Sequence, residues 1–109
     1  MAAKLYGADN APLKIQFITD PHYYSRKGGT EGKAYEKAEA KSQKVIKDSD
    51  LVIKAGFDLL CADTSTDIVV LAGDTTRDGE LASHAEFIEM LRDLKKRGKR
   101  VYVITATHD

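Results

Sequence analysis

The amino-acid sequence predicts an α/β fold built on one parallel β-sheet in β-α-β-α-β order. Three short runs of strand-forming residues, at 13–19, 68–72 and 101–104, supply the strands. Helix-type apolar periodicity occupies the long segments between them, and parallel strands need such long crossovers to return to the same end of a sheet. We therefore expect a three-layer unit in which helices lie on the faces of a three-strand sheet.

The three strand segments differ in the pattern of apolar and polar residues, and this pattern predicts whether one or both faces of each strand are covered. Residues 13–19, LKIQFIT, begin with alternating apolar and polar side chains, which is typical of a strand with two unequal faces. Residues 68–72, IVVLA, and 101–104, VYVI, are continuous apolar runs rich in β-branched residues. Such runs are typical of central strands that are covered on both faces.

The segment between the first two strands is predicted to hold a loop and two helical parts. Residues 25–33 are glycine-rich and are expected to form a mobile loop, and the lysine-rich residues 33–47 are expected to form a solvated helical face. Ser49 or Asp50 is the expected N-cap of the second helical part. Its stripe toward the sheet is predicted to contain Val52, Gly56, Leu59 and Leu60, with Ile53 and Phe57 beside it.

A further helix is predicted between the second and third strands. Apolar residues recur there at helical spacing, namely Leu81, Ala85, Ile88, Leu91 and Leu94, flanked by Phe87. Lys95, Lys96 and Arg97 occupy the expected last turn, where cations complement the helix dipole. Gly98 is the predicted C-terminal stop of this helix.

Length, charge and cysteine content limit the possible classes of protein. The chain has 109 residues, so we expect one domain over residues 1–109. Lys plus Arg and Asp plus Glu both number 17, which argues against nucleic acid or a membrane surface as a partner. Cys61 is the only cysteine, which excludes an intrachain disulfide and is typical of a small buried side chain in a reducing compartment. Since no segment is long and apolar enough to span a bilayer, we expect a cytoplasmic protein.

Acidic and imidazole side chains follow each predicted strand. Asp20 and His22 lie in DPH after the first strand. Asp74 lies in GD after the second strand, and His108 lies in HD after the third. Because the carboxyl ends of parallel strands meet at one edge of a sheet, we expect these side chains to converge there, and Asp and His together suit zinc, manganese, iron or magnesium. An extended backbone stiffened by Pro21 would send the first two ligands to the same side.

Structural roles are the alternative for several of these residues. His22 could be an ordinary loop histidine, and Asp74 could cap a turn or the next helix. Asp78 is expected to cap the helix that follows it, with orientation of His108 as its functional alternative.

Tyrosine and histidine side chains near the same edge can likewise have either a structural or a functional role. Tyr23 and Tyr24 are expected to be packing residues, and the alternative is that they line a pocket or stack on a base. His84 is expected to be solvated, with contact to a substrate as the alternative.

Three blocks of the chain resemble the N-terminal half of the calcineurin-like metallophosphoesterases. That family carries D-x-H, then G-D, then G-N-H-D or G-N-H-E, each after a parallel strand. The corresponding blocks here are TDPH at 19–22, LAGDTTRDGE at 71–80 and ITATHD at 104–109. They occur in the order of the family, each behind a predicted strand, and the resemblance extends from residue 13 onward.

The resemblance implies a role for each of the four residues at the strand ends. Asp20 and His22 would be ligands of a first metal, and Asp74 would bridge two metals. His108 would stand near the leaving group and donate a proton to it. The implied activity is divalent-metal-dependent hydrolysis of a phosphomonoester or phosphodiester, with a small molecule or a nucleotide as substrate and Mn, Zn, Fe or Mg as the metal.

Two departures from the family pattern change what we expect of this chain. Ala106 and Thr107 stand where the family has Gly-Asn, so a shorter neutral hydroxyl replaces the amide oxygen that would bind the second metal. The family continues with a second half that supplies further histidines, whereas the present sequence ends at Asp109. We therefore expect a truncated metallophosphoesterase-like domain that is weak or inactive alone.

The alternative function is that of a non-catalytic remnant, which binds metal weakly or acts by oligomerising. Half of a sandwich leaves one sheet face without its counterpart, and large exposed apolar patches are uncommon in monomeric proteins. We therefore expect self-association, through a symmetric dimer or through exchange of an element between copies.

Overall fold

The computed structural model describes residues 12–42 and 45–109, and it contains one three-strand parallel sheet in the order β1-β2-β3. The elements are β1 (Ile15–Ile18), a short 3-10 helix (Arg26–Gly28), α1 (Lys33–Lys41), α2 (Ser49–Ala62), β2 (Ile68–Ala72), α3 (Leu81–Lys96) and β3 (Arg100–Ile104). The predicted α/β class and the parallel β-α-β-α-β order are confirmed, with α1 as an additional helix in the first crossover.

One face of the sheet carries the core. Val69 and Leu71 of β2 are completely buried and pack with Phe57 of α2 and with Phe87 and Leu94 of α3. Both long helices therefore lie on the same side of the sheet, where each large apolar side chain contributes about 1.5–3 kcal/mol by leaving water.

The opposite face is bare among the described residues, so the three-layer arrangement predicted from the sequence is wrong for this part of the chain. Ile15 and Phe17 of β1 are 41% and 62% exposed, and Tyr102 and Ile104 of β3 are 55% and 61% exposed. The strands follow one another across the sheet in chain order. Since crossovers between parallel strands are almost always right-handed, successive crossovers in this order place both helices on one side. We call these four side chains the open face.

The stripe of α2 that meets the sheet differs from the predicted one. Phe57 is buried, and Ile53 and Leu60 pack against the core, but Val52 and Leu59 are 62% and 73% exposed. The helix is apolar over more than one stripe, and the sequence period alone does not select the stripe that faces the sheet.

The residues predicted to cap α2 have another role. Asp48 occupies the N-cap position without a side-chain hydrogen bond to the helix. Ser49 Oγ instead accepts a hydrogen bond from the backbone N–H of Tyr24 at 2.9 Å. Asp50 pairs with Arg26 Nε at 2.9 Å, so the start of α2 anchors the segment that was predicted to be a mobile loop.

Helix α3 meets the core with only part of its predicted stripe. Leu94 is buried and Leu91 packs against the core, as predicted, but Leu81 and Ile88 are 85% and 45% exposed, and the flanking Phe87 is buried instead. The predicted stop is confirmed, since Gly98 follows the helix with a φ of 82°, a left-handed conformation that favours glycine.

Helix α1 has no buried residue, as expected for a solvated face, although residues 43 and 44 of the predicted lysine-rich stretch lie outside the described part. Cys61 is half-buried against the core. In the described ranges, no helix has both the length and the apolar character needed to cross a membrane.

Candidate metal centre

The chain continues to pair beyond the carboxyl ends of β1 and β2. The backbone N–H groups of Asp20 and His22 donate to the carbonyl oxygens of Gly73 and Asp74 at 3.2 and 3.1 Å. Tyr23 N–H donates to the Thr75 carbonyl at 3.0 Å. These bonds fix the DPH segment beside the GD segment, which are more than 50 residues apart in sequence.

The backbone at this edge is left-handed at three positions that are not glycine. Asp20, His22 and Asp74 have φ values of 50°, 47° and 48°, and they are the only non-glycine residues with positive φ in the described ranges. This conformation costs about 1–2 kcal/mol for an ordinary L-residue, and such strain clusters at functional sites. The extended backbone predicted for DPH is therefore wrong, although its side chains do meet.

One ligand atom from each of these three residues lies within 4.8 Å of the other two. His22 Nε2 is 3.9 Å from Asp20 Oδ1 and 4.0 Å from Asp74 Oδ2. These separations are too long for hydrogen bonds. They suit atoms that share one ion, because a metal with bonds of about 2.0–2.2 Å can bridge atoms about 4 Å apart. We call this group the trio.

The second oxygen of each carboxylate is held by a donor from this chain. Thr19 Oγ1 donates to Asp20 Oδ2 at 2.6 Å. The backbone N–H of His108 donates to Asp74 Oδ1 at 3.1 Å. Each carboxylate is thereby oriented through one oxygen, while the other oxygen is directed toward His22.

The donor set fits a divalent cation. Two carboxylates and one imidazole suit zinc, manganese, iron or magnesium, and three protein ligands with water in the remaining positions are typical of a catalytic ion. The side chains of His22 and Asp74 are only 17% and 16% exposed, whereas Asp20 is 61% exposed and leaves the centre accessible from one side. In the described residues His22 Nδ1 is buried and has no hydrogen-bond partner, and this is the one unfavourable feature for an ion at Nε2.

His108 lies against the trio and is oriented by a carboxylate. Its ring meets the His22 ring edge-on, with centroids 5.2 Å apart. Its Nδ1 is 3.0 Å from Asp78 Oδ1. The N-cap position of α3 is Glu80, so the predicted capping role of Asp78 is wrong and its alternative, contact with His108, is what the structure contains.

A close approach of two backbones brings the third strand end to the site. A Cβ built on Gly73 would lie 2.6 Å from the Cβ of Ala106, and the φ of Gly73 is 93°. Only glycine satisfies both conditions, since any larger residue would collide and would also be strained. This contact places the segment that carries His108 beside Asp74.

Asp109 is a structural residue of the site that the sequence analysis did not assign. Its carboxylate accepts hydrogen bonds from the Thr75 hydroxyl and from the backbone N–H groups of Thr76 and Ala106, the latter two at 3.0 and 3.1 Å. Burial alone would raise the pKa of Asp109, but these hydrogen bonds outweigh it and lower the pKa. Asp109 thus joins the segments after β2 and β3, and the only sequence signal for it is an acid next to the candidate histidine.

The neighbouring aromatic residues are packing residues, as expected. Tyr23 is completely buried, and its hydroxyl donates to Glu86 at 2.5 Å. Tyr24 is 8% exposed, and its hydroxyl donates to the Gly29 carbonyl at 2.6 Å. His84, which was expected to be solvated, instead lies half-buried in the first turn of α3.

The trio is the only group of three or more His, Cys, Asp or Glu residues with metal-binding geometry in the described ranges. Thr107, which stands at the expected amide position of a second metal, is exposed. Neither a scan against protein-family models nor a search of the curated proteins gives a match for this chain. The chemical interpretation therefore depends on the geometry of the site itself.

Proposed function

We propose that this chain carries the first half of a divalent-metal-dependent phosphoesterase centre. The observation that supports this most strongly is that the trio consists of the three non-glycine residues with left-handed backbone in the described part of the chain, with His108 in ring contact with it. A fold that retains strained backbone at three converging ligand-type residues is typical of a functional site.

In this proposal Asp20, His22 and Asp74 hold the cation, which can be Mn, Zn, Fe or Mg. When bound, the ion supplies Lewis-acid stabilisation of charge on a phosphoryl oxygen. In the hydrolysis, the oxygen of a water bonds to phosphorus as the ester P–O bond breaks, and His108, oriented by Asp78, donates a proton to the departing oxygen of the phosphomonoester or phosphodiester. The substrate is a small phosphate ester or a nucleotide.

A second candidate function is that of a non-catalytic module that binds metal weakly and oligomerises. The open face favours it, because Phe17, Tyr102 and Ile104 present aromatic and aliphatic surface with no cover in the described residues. A centre with three protein ligands is also expected to bind its ion less tightly than a centre with four or more protein ligands. Both candidate functions use the trio as a metal site, but only the first includes hydrolysis of a substrate. A cytoplasmic location, with Cys61 reduced, is proposed for either.

Titration calorimetry with Mn²⁺ and Zn²⁺ tests the metal centre. We expect one ion to bind per chain and Asp74→Asn to weaken binding at least tenfold, since asparagine tolerates a left-handed backbone but removes the charge. Asp93→Asn, which changes an exposed carboxylate on α3, is the matched control and is expected to bind as the parent does. No saturable binding, or equal affinity in the two variants, contradicts the proposal.

Hydrolysis of p-nitrophenyl phosphate under the same conditions separates the two functions. The enzyme proposal requires metal-stimulated turnover, which is expected to be weak in this chain and to fall at least tenfold in Asp74→Asn and in His108→Ala. Metal binding without turnover above the metal-only blank supports the non-catalytic module.

Sedimentation velocity tests the oligomerising module. We expect the parent to associate and Phe17→Glu to be monomeric, because a charge in the open face opposes its burial. Leu81→Glu, at an 85% exposed position on α3, is the control. A monomeric parent at high micromolar concentration contradicts association.

A further inference from the structure

A cavity of about 320 Å³ opens directly beside the trio, between the segment after β1 and the first turns of α2. Asp20 and His22 form its side toward the metal centre. The rest of the lining is Pro21, Val45, Ser49, Val52 and Ile53. The cavity is therefore acidic at one end and apolar along its length.

The apolar wall is available to a ligand. Val45 and Val52 are 68% and 62% exposed, so their methyl groups are in contact with solvent in the described structure. Ser49 is the one polar side chain on the wall, and its hydroxyl already accepts the Tyr24 N–H at 2.9 Å. A ligand in this cavity would meet apolar surface and would gain by displacing water from it.

The apolar surface continues along α2 beyond this cavity. A second cavity of about 470 Å³ shares Val52 and Ile53 with the first and passes Gly56 toward Leu59 and Leu60. The two cavities adjoin at Val52 and Ile53, and we call them together the groove. The second cavity is completed by Gln16, Ile18, Phe57 and Asp63, so it is mainly apolar with two polar groups.

We propose that this groove binds the apolar organic group of a phosphate ester whose phosphoryl group lies at the trio. The inference rests on the proposed function and narrows its substrate class, from a small phosphate ester or a nucleotide to esters with an aryl or short alkyl group. Asp20 and Asp74 repel an anion when no cation is present, so the phosphoryl group requires the ion. The wall formed by Val45, Val52 and Ile53 recognises the apolar group.

Binding of non-hydrolysable phosphonates to the full chain tests the inference without relying on activity. Methylphosphonate, phenylphosphonate and 1-naphthylphosphonate are titrated by calorimetry into protein that has been saturated with Mn²⁺. We expect phenylphosphonate to bind about tenfold more tightly than methylphosphonate, and the naphthyl compound more tightly again, because each ring places more apolar area in the groove. Without Mn²⁺ all three are expected to bind at least tenfold more weakly.

Two adjacent helix positions supply a matched pair of variants. Val52→Ser removes apolar surface from the groove, and it is expected to reduce the preference for phenylphosphonate over methylphosphonate at least threefold. Leu51→Ser changes a neighbour that is 58% exposed but does not line the cavity, and it is expected to keep the preference. Both positions are exposed on α2, so both variants should fold.

The outcomes distinguish failure of the inference from failure of the proposed function. Equal affinity for methyl- and phenylphosphonate, or the same preference in Val52→Ser as in Leu51→Ser, overturns the inference while Mn²⁺ binding is retained. Binding of phenylphosphonate that is independent of Mn²⁺ also overturns it, since the phosphoryl group then lies away from the trio. A chain that binds no Mn²⁺ in the initial titration overturns the proposed function, and the inference with it.

Discussion

Both ends of the β-sheet carry aspartates, but the carboxylates at the two ends differ in how many hydrogen bonds they accept. At the amino end, Asp63 accepts hydrogen bonds from the backbone and hydroxyl of Ser65, from the Thr66 hydroxyl and from Lys14 Nζ, at 2.6–3.0 Å. Lys99 Nζ adds bonds to the backbone carbonyls of Asp63 and Thr66. At the carboxyl end, Asp20 and Asp74 each accept one hydrogen bond among the described residues and turn their other oxygen toward His22.

This difference teaches how to separate a structural carboxylate from a binding one. Hydrogen bonds from Ser65, Thr66 and Lys14 hold the pKa of Asp63 well below its usual range, so that its charge is satisfied within the fold. The trio has converging charge without matching donors, and its backbone is strained as well. In the proposed function, a cation would supply the positive charge that this chain's own donors do not.

Gly73→Ala is expected to have the largest effect on stability, because it disrupts the close contact between Gly73 and Ala106 at the carboxyl end of the sheet. A left-handed alanine and a 2.6 Å contact with Ala106 Cβ together are expected to destabilise the fold by about 3 kcal/mol. Urea unfolding measures the loss. Gly98→Ala, with a φ of 82° and no atom near the added Cβ, is expected to cost only about 1 kcal/mol.

The double variant Gly73→Ala/Ala106→Gly isolates the steric part of that loss. Removing the Ala106 Cβ relieves the contact but not the backbone strain, so about half of the stability is expected to return. No recovery in the double variant, or equal losses in Gly73→Ala and Gly98→Ala, would show that the approach of the two segments is not what requires glycine.

Asp63→Asn is expected to have a smaller effect, which depends on pH. The folded state lowers the pKa of Asp63, so its contribution is present above the ordinary value of 3.8 and is lost as the pH falls through the lower folded value. Thermal unfolding at about pH 7 should therefore find Asp63→Asn less stable than the parent, with the difference shrinking toward about pH 2. Asp58→Asn, on the exposed side of α2, is the control and should follow the parent at every pH. A difference that is independent of pH contradicts this account of the amino end.

Asp20→Asn is expected to have the smallest effect, with the opposite sign. In the absence of metal the change removes like-charge repulsion with Asp74 and keeps a residue that tolerates a left-handed backbone. We expect a gain of about 0.5 kcal/mol in the free energy of unfolding in chelator, since Asp20 is largely exposed. Added Mn²⁺ should stabilise the parent and not the variant. If Asp20→Asn destabilises the metal-free chain, the Asp20 carboxylate stabilises the fold as Asp63 does, and the contrast between the two ends of the sheet is wrong.

The sequence predicted those features that depend on composition over a whole segment. The run at 68–72 matches β2, because a short continuous apolar run of β-branched residues is typical of a buried strand. The convergence of Asp20, His22 and Asp74 follows from the parallel topology, which places the carboxyl ends of the strands at one edge. The stripes of α2 and α3 that face the sheet could be predicted only in part, because both helices are apolar on several sides and the one-sided cover of the sheet selects among them.

Features made by contacts distant in sequence also escaped prediction. The left-handed backbone at His22 could not be predicted from its residue type, because histidine is only enriched in this conformation and most histidines do not adopt it. The approach of Gly73 to Ala106 and the hydrogen bonds of Asp109 to Thr75 and Thr76 join segments about 30 residues apart, and they are visible only in three dimensions.

The strand order has a consequence for how such a centre is assembled. All three members of the trio belong to the first β-α-β unit, whereas the candidate proton donor His108 arrives with the last strand. The proposed ion site and the proposed acid are therefore not independent, because the backbone N–H of His108, which arrives with β3, also orients Asp74.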